Sequence, residues 1–130
     1  MYYYTLQINV PPSKQKKVSS ILGLKSELVD FYSDTLYVKV EKEDHEPFLF
    51  VDYFLSLLEG KYEDLQKIGV ERENISIWKE YAYDSQCNME FFPEATYRLG
   101  KEGITLCVTC WDIHDYDKDY DENGNVINDF

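Results

Sequence analysis

The chain has 130 residues, 44% of them apolar, with 25 acidic against 13 basic side chains and a net charge of −12. That length and balance fit one folded domain, and such acidity disfavours both phosphate backbones and anionic membrane surfaces as partners. No apolar run approaches membrane-spanning length, Met1 to Thr5 lacks the basic and apolar regions of a signal peptide, and the 3 cysteines, an odd number, fit reduced thiols. A cytoplasmic protein is expected.

Tyr2, Tyr4, Leu6, Ile8 and Val10 alternate with Tyr3, Thr5, Gln7 and Asn9, the period-two pattern of a strand with one apolar face. Pro11-Pro12 ends it. Ser13 then suits a helix N-cap, Val18, Ile21 and Leu22 share a helical face, and Gly23 is the stop. Leu36, Val38 and Val40 give a second strand. Asp44 to Pro47 read as a helix start, with Phe48, Val51, Leu55 and Leu58 at helical spacing behind it. Gly60 interrupts, and Tyr62, Leu65 and Ile68 continue in a short helix ending at Gly69. Ile75, Ile77 and Trp78 open a strand that runs toward Tyr83. Asp84-Ser85 reads as a turn and Asn88 to Phe92 as extended. Pro93-Glu94 start another helix, closed by Leu99-Gly100, and Ile104, Leu106, Val108 and Cys110 alternate in a last strand.

A strand, a proline, a short helix and Leu-Gly occur at Val10 to Gly23 and recur at Phe91 to Gly100. The expectation is an α+β two-layer sandwich in βαβ-α-βαβ order, a mixed four- to five-stranded sheet with helices on one face. Residues 1–113 form the single domain. Residues 114–130 form an acidic tail, and Asp112 to Phe130 alone hold half the net charge.

Within the tail, Asp119, Asp121, Asn123, Gly124 and Asn125 follow the spacing of the first two-thirds of an EF-hand calcium loop. The bidentate glutamate of such a loop is replaced by Phe130 and no amphipathic helix flanks it, so an acidic tail with an Asn-Gly turn is the plainer reading. Cys107 and Cys110 form a CxxC, but three residues apart on one strand they point to opposite faces roughly 10 Å apart. They read as small core residues, and no cofactor is expected. His45 and His114 read as surface residues. Lys14, Lys16, Lys17 and Lys25 read as the solvated face of the first helix.

The segment Tyr81 to Phe92 is chemically richer. Gln86, Asn88 and Glu90 alternate against Cys87, Met89 and Phe91. Facing solvent they would be one side of a routine strand. Facing a cleft, together with Tyr81 and Tyr83, they would form a polar, tyrosine-lined ligand site.

Ile21-Leu22-Gly23-Leu24-Lys25-Ser26 after the first strand resembles the Ile-Leu-Gly-Ile-x-Pro-Ser/Thr segment of an uncharacterised bacterial family, domain of unknown function 4279. Ile75 to Trp78, Gln86 to Phe91, Leu99-Gly100 and Gly103 to Cys107 resemble the C-terminal half of some members. The likeness covers residues 1 to about 113. It departs from the family where Pro would follow Lys25 and in the aromatic-basic segment beyond. It implies a fold and a bacterial origin and brings no activity or site residues.

With no phosphate loop, nucleophile elbow or catalytic constellation, the leading expectation is a non-catalytic binding or interaction protein. One concrete form neutralises a basic protein partner, as small acidic immunity proteins do against toxins. The alternative is a small-ligand binder or enzyme using the site near Gln86, Asn88 and Glu90. Monomer and homodimer are both compatible with the sequence.

Overall fold

The computed structural model describes residues 2–43, 46–113 and 122–123. Five strands form one sheet, β1 (Tyr2–Asn9), β2 (Val29–Tyr32), β3 (Thr35–Lys42), β4 (Ile75–Tyr83) and β5 (Thr105–Asp112). Four helices join them, α1 (Pro12–Leu22), α2 (Phe50–Leu58), α3 (Tyr62–Lys67) and α4 (Pro93–Glu102). Two single 3-10 turns, Ser26–Leu28 and Arg72–Asn74, lead into β2 and β4. The strand order is β2-β3-β1-β4-β5, with only the β4–β5 pair parallel. This is the expected α+β sandwich with a mixed sheet.

The alternation of β1 decides which face is inside. Tyr4, Leu6 and Ile8 are buried, and their cross-strand partners in β3 and β4 continue the same rows. Leu6 lies between Val38 and Ile77, and Ile8 between Leu36 and Ile75. Phe54, Leu55 and Leu58 of α2, Leu65 of α3 and Val18 of α1 close over these rows, all with no measurable exposure. Burying one such side chain stabilises by about 1.5–3 kcal/mol. The helices therefore cover one face, and the opposite face carries no second layer among the described residues.

Proline and glycine punctuate these elements. Pro11 has no N–H to give the ladder and sits just ahead of α1, while Pro12 takes the first helical turn, where a missing N–H costs nothing. Ser13 therefore lies inside the helix and Pro11 takes the N-cap position in its place. Gly23, at φ 65°, ends α1 with its N–H on Ser20 and the N–H of Leu24 on Ser19. Gln15, buried on α1, donates its side-chain amide to the carbonyls of Val10 (3.1 Å) and Ser33 (2.7 Å). It thereby ties the end of β1 to the β2–β3 turn.

Three sequence expectations need correction. Asn88 to Phe92 is not a strand. The edge of β4 is already occupied by β5, and residues 84–92 instead cross the end of the sheet to reach α4. The fifth strand is β2, which pairs antiparallel with β3 across a two-residue turn at Ser33-Asp34. The second helix begins at Phe50, three residues beyond Pro47, and α4 runs through Gly100 to a left-handed Gly103 at φ 70°. Among the described residues, no helix is long and apolar enough to cross a membrane.

Candidate functional site

The two faces of the sheet carry different chemistry. On the uncovered face, Tyr3 of β1 is 36% exposed and is flanked directly by Glu41 of β3 and Glu80 of β4. Neighbouring strands lie about 4.8 Å apart, so this cross-strand row places a carboxylate on each side of an aromatic ring within about 10 Å. Thr5 lies between Lys39 and Trp78 in the next row. Tyr37, Lys39 and Val40 join Tyr3, Glu41 and Glu80 around a depression of about 280 Å³.

Lys39, the one base that β1 to β5 place on this face, is engaged by Asp30 at 2.9 Å and offsets the charge of the row only in part. That hydrogen bond, outweighing the cost of burial and helped by the charges of Asp30 and Glu80, raises the Lys39 pKa and holds it cationic. Trp78 and Trp111 are half-buried on the same face, and Tyr32 at its edge is 73% exposed.

On the covered face, a cleft of about 170 Å³ opens where β3 and β4 end and α2 and α4 begin. Crevices at the carboxyl ends of strands are common ligand positions in sheets with parallel crossovers. The walls are Tyr4, Phe48, Phe50 and Phe91, the rim carries Leu49, Phe92, Asp52 and Glu90, and Lys79 projects into it. Tyr4 packs against Phe48 and Phe50 with ring centroids at 5.1 and 4.8 Å. Lys79 Nζ lies 4.9 Å from the centre of the Tyr2 ring and 6.0 Å from that of Phe91. Burial lowers the Lys79 pKa, and no described carboxylate pairs with it. Asp52 is held instead by Arg98 at 3.0 Å.

The sequence-predicted residues divide around this cleft. Glu90 lies on its rim. Tyr81 shares the covered side of β4 with Lys79 and stacks on Tyr2 at 4.5 Å, behind the opening. Tyr83 is half-buried at the end of β4. Gln86 and Asn88 are exposed on the crossing loop and line none of the hollows described here. Of the calcium-like set, Asp119, Asp121 and Asn125 lie outside the described residues, and Asn123 is an exposed turn residue. His45 and His114 also lie outside them.

No protein-family model, curated protein or solved structure matches the chain.

Metal and thiol chemistry gains little support from the geometry. Cys107 and Cys110 lie opposite Trp78 and Tyr81 on β4, hence on opposite faces of β5, and no three described His, Cys, Asp or Glu side chains converge as metal ligands. Cys87 of the crossing loop meets Cys110, whose hydrogen bond raises the Cys87 pKa. A wider hollow of about 500 Å³ lies over α3, but Glu63, Gln66, Glu71, Arg72 and Glu73, all solvated, form most of its wall.

Sequence reasoning missed both Lys79 and the Glu41–Tyr3–Glu80 row. For Lys79 a signal existed, since in the alternation of Ile75 and Ile77 the next inward position is a lysine. For the row there was none, because it depends on which strands flank β1.

Proposed function

We propose that the chain is a non-catalytic binding protein whose uncovered sheet face receives basic side chains of a protein partner. The observation that carries this reading is the Glu41–Tyr3–Glu80 row. An arginine guanidinium stacks on a tyrosine face and forks to carboxylates beside it. Tyrosine and tryptophan, enriched at energetic centres of interfaces, occupy the same face as Tyr3, Tyr37, Trp78 and Trp111. The overall charge of −12 would speed encounter with a basic partner. Neutralising such a partner, in the manner of small acidic immunity proteins against toxins, is the concrete form of the proposal. Kinship with domain of unknown function 4279 belongs to the same proposal and adds no activity to it.

The test is calorimetric titration of an arginine-rich peptide against the native chain and the Glu41→Gln/Glu80→Gln variant. One exposed and one half-buried charge contact contribute about 1–2 kcal/mol together, so the variant should bind roughly 5- to 30-fold more weakly. Binding to the native chain should weaken with salt. The acidic tail would attract the same peptide without specificity, which makes the variant the deciding comparison. Equal affinity in both proteins would refute the reading.

A further inference from the structure

We propose that the covered-face cleft is a binding site for a small monocarboxylate with an apolar body about the size of one ring, and that Lys79 is its counter-charge.

The inference starts from where the lysine stands. Its cross-strand row reads Val40, Tyr4, Lys79, Val108, and every other member is apolar or aromatic. One row further along β4, Ile77 is completely buried. Strand alternation therefore puts a cation where the sandwich calls for an apolar side chain. A partly buried charge is costly unless an opposite charge offsets it. Here none of the described acids does so, although two stand at the rim. Asp52 is committed to Arg98, and Glu90 is exposed without an ion pair to Lys79. The rings of Tyr2 and Phe91 stabilise the ammonium by their π faces, and the nearby Cys87 is a thiol whose pKa Cys110 raises, so it does not act as a lasting counter-charge. An anion entering the cleft would supply the missing charge.

The rest of the cleft limits what that anion is. One ammonium, with the Asp52 and Glu90 carboxylates at the rim, suits a monoanion better than a phosphate, which calls for several donors and would be repelled more strongly by the two acids. The volume of about 170 Å³ is close to that of a protein cavity that takes a single benzene ring, roughly 150 Å³. Tyr4, Phe48, Phe50 and Phe91 would meet the ligand body. Leu49 and Phe92, 75% and 66% exposed at the first turns of α2 and α4, stand as apolar lips on either side. Phenylacetate and 4-methylpentanoate are fitting probes of this class.

Amide chemical shifts of the full chain, titrated with phenylacetate, read the site directly. Saturable shifts are expected at Phe50, Lys79 and Phe91, and the neutral isostere phenylacetamide should bind at least tenfold more weakly. Lys79→Met should lose the preference for the anion while melting as a folded protein. Ala95, in the first turn of α4, also lines the cleft, and Ala95→Leu, which fills it and leaves the lysine in place, should lose both ligands. Equal affinity for acid and amide, shifts elsewhere on the chain, or undiminished binding in both variants would overturn the assignment. Glu41→Gln/Glu80→Gln, on the other face of the sheet, should bind phenylacetate as the native chain does, so failure here is distinct from failure of the partner-binding surface.

Discussion

Replacing Tyr62 with Phe removes one hydroxyl and tests how the helical layer that frames the cleft is held. The Tyr62 hydroxyl donates to Glu102 Oε1 at 2.9 Å, and Arg98 bonds the other carboxylate oxygen at 3.3 Å and Asp52 of α2 at 3.0 Å. The Arg72 guanidinium lies 3.9 Å over the Tyr62 ring and also donates to the Glu102 carbonyl, so α2, α3 and α4 meet in one network. A hydrogen bond to a charged group contributes about 1.5–3 kcal/mol, and the partial exposure of Tyr62 argues for the lower end. Tyr62→Phe should therefore destabilise by about 1.5 kcal/mol at pH 7, a fall in Tm of about 5 °C for a domain of this size. Burial first, then the bond to Glu102 and its charge, raise the Tyr62 pKa well above its usual 10. The folded state thus retains a proton that the unfolded state loses. The associated stability is complete below pH 10 and declines as pH rises past it. Urea unfolding at pH 7 and pH 10.5 should show the advantage of Tyr62 over Phe shrinking by about 0.5 kcal/mol, allowing for partial exposure. An advantage below 0.3 kcal/mol at pH 7, or one unchanged at pH 10.5, would refute the reasoning.

Leu6→Ala, at a fully buried position between Val38 and Ile77, should cost about 3–4 kcal/mol in urea unfolding through lost burial and the cavity left behind. Gln15→Leu leaves the Val10 and Ser33 carbonyls without their side-chain donor. It should cost about 1–3 kcal/mol and speed hydrogen exchange at the Val10 amide, which bonds the Asp34 carbonyl in the same turn. Cys110→Ala removes the hydrogen bond that raises the Cys87 pKa, so Cys87 should be alkylated faster by iodoacetamide at pH 8, as followed by peptide mass spectrometry; an unchanged rate would show that the two thiols do not interact.

The legible parts of the fold were those whose signal is local. The alternation of Tyr4, Leu6 and Ile8, the Pro11-Pro12 stop and the left-handed Gly23 each state their structure within a few residues. The four residues of β2 were not legible because Val29, Asp30, Phe31 and Tyr32 give too short an alternation, with Asp30 and Tyr32 facing solvent at the sheet edge. The Asn88 to Phe92 segment misled for the complementary reason. It alternates as a strand does, but no edge of the sheet remains for it beside β4. Of the sequence-predicted site, Glu90 reaches the cleft rim and Tyr81 stands behind it. Gln86 and Asn88 stay on the loop surface, because an irregular segment does not keep the period of two that would have aligned them with Glu90.

The two faces of the sheet share three dipeptides. Tyr3-Tyr4, Val40-Glu41 and Lys79-Glu80 are adjacent pairs in adjacent strands, and the strand period sends one member of each pair to either face. Tyr3, Glu41 and Glu80 form the acidic row of the open face, whereas Tyr4 and Lys79 line the cleft and Val40 pairs with Tyr4 in the same cross-strand row. A slip of one residue in β4 against β1 would place Lys79 on the open face and carry Glu80 into the apolar cleft, at the cost of burying an unpaired carboxylate. The core residues Ile75 and Ile77, which fix that register, therefore also fix the sign of charge on each surface. Single substitutions at Glu80 and Lys79 act on opposite faces and separate the two sites, whereas a change that moves the register must alter both together.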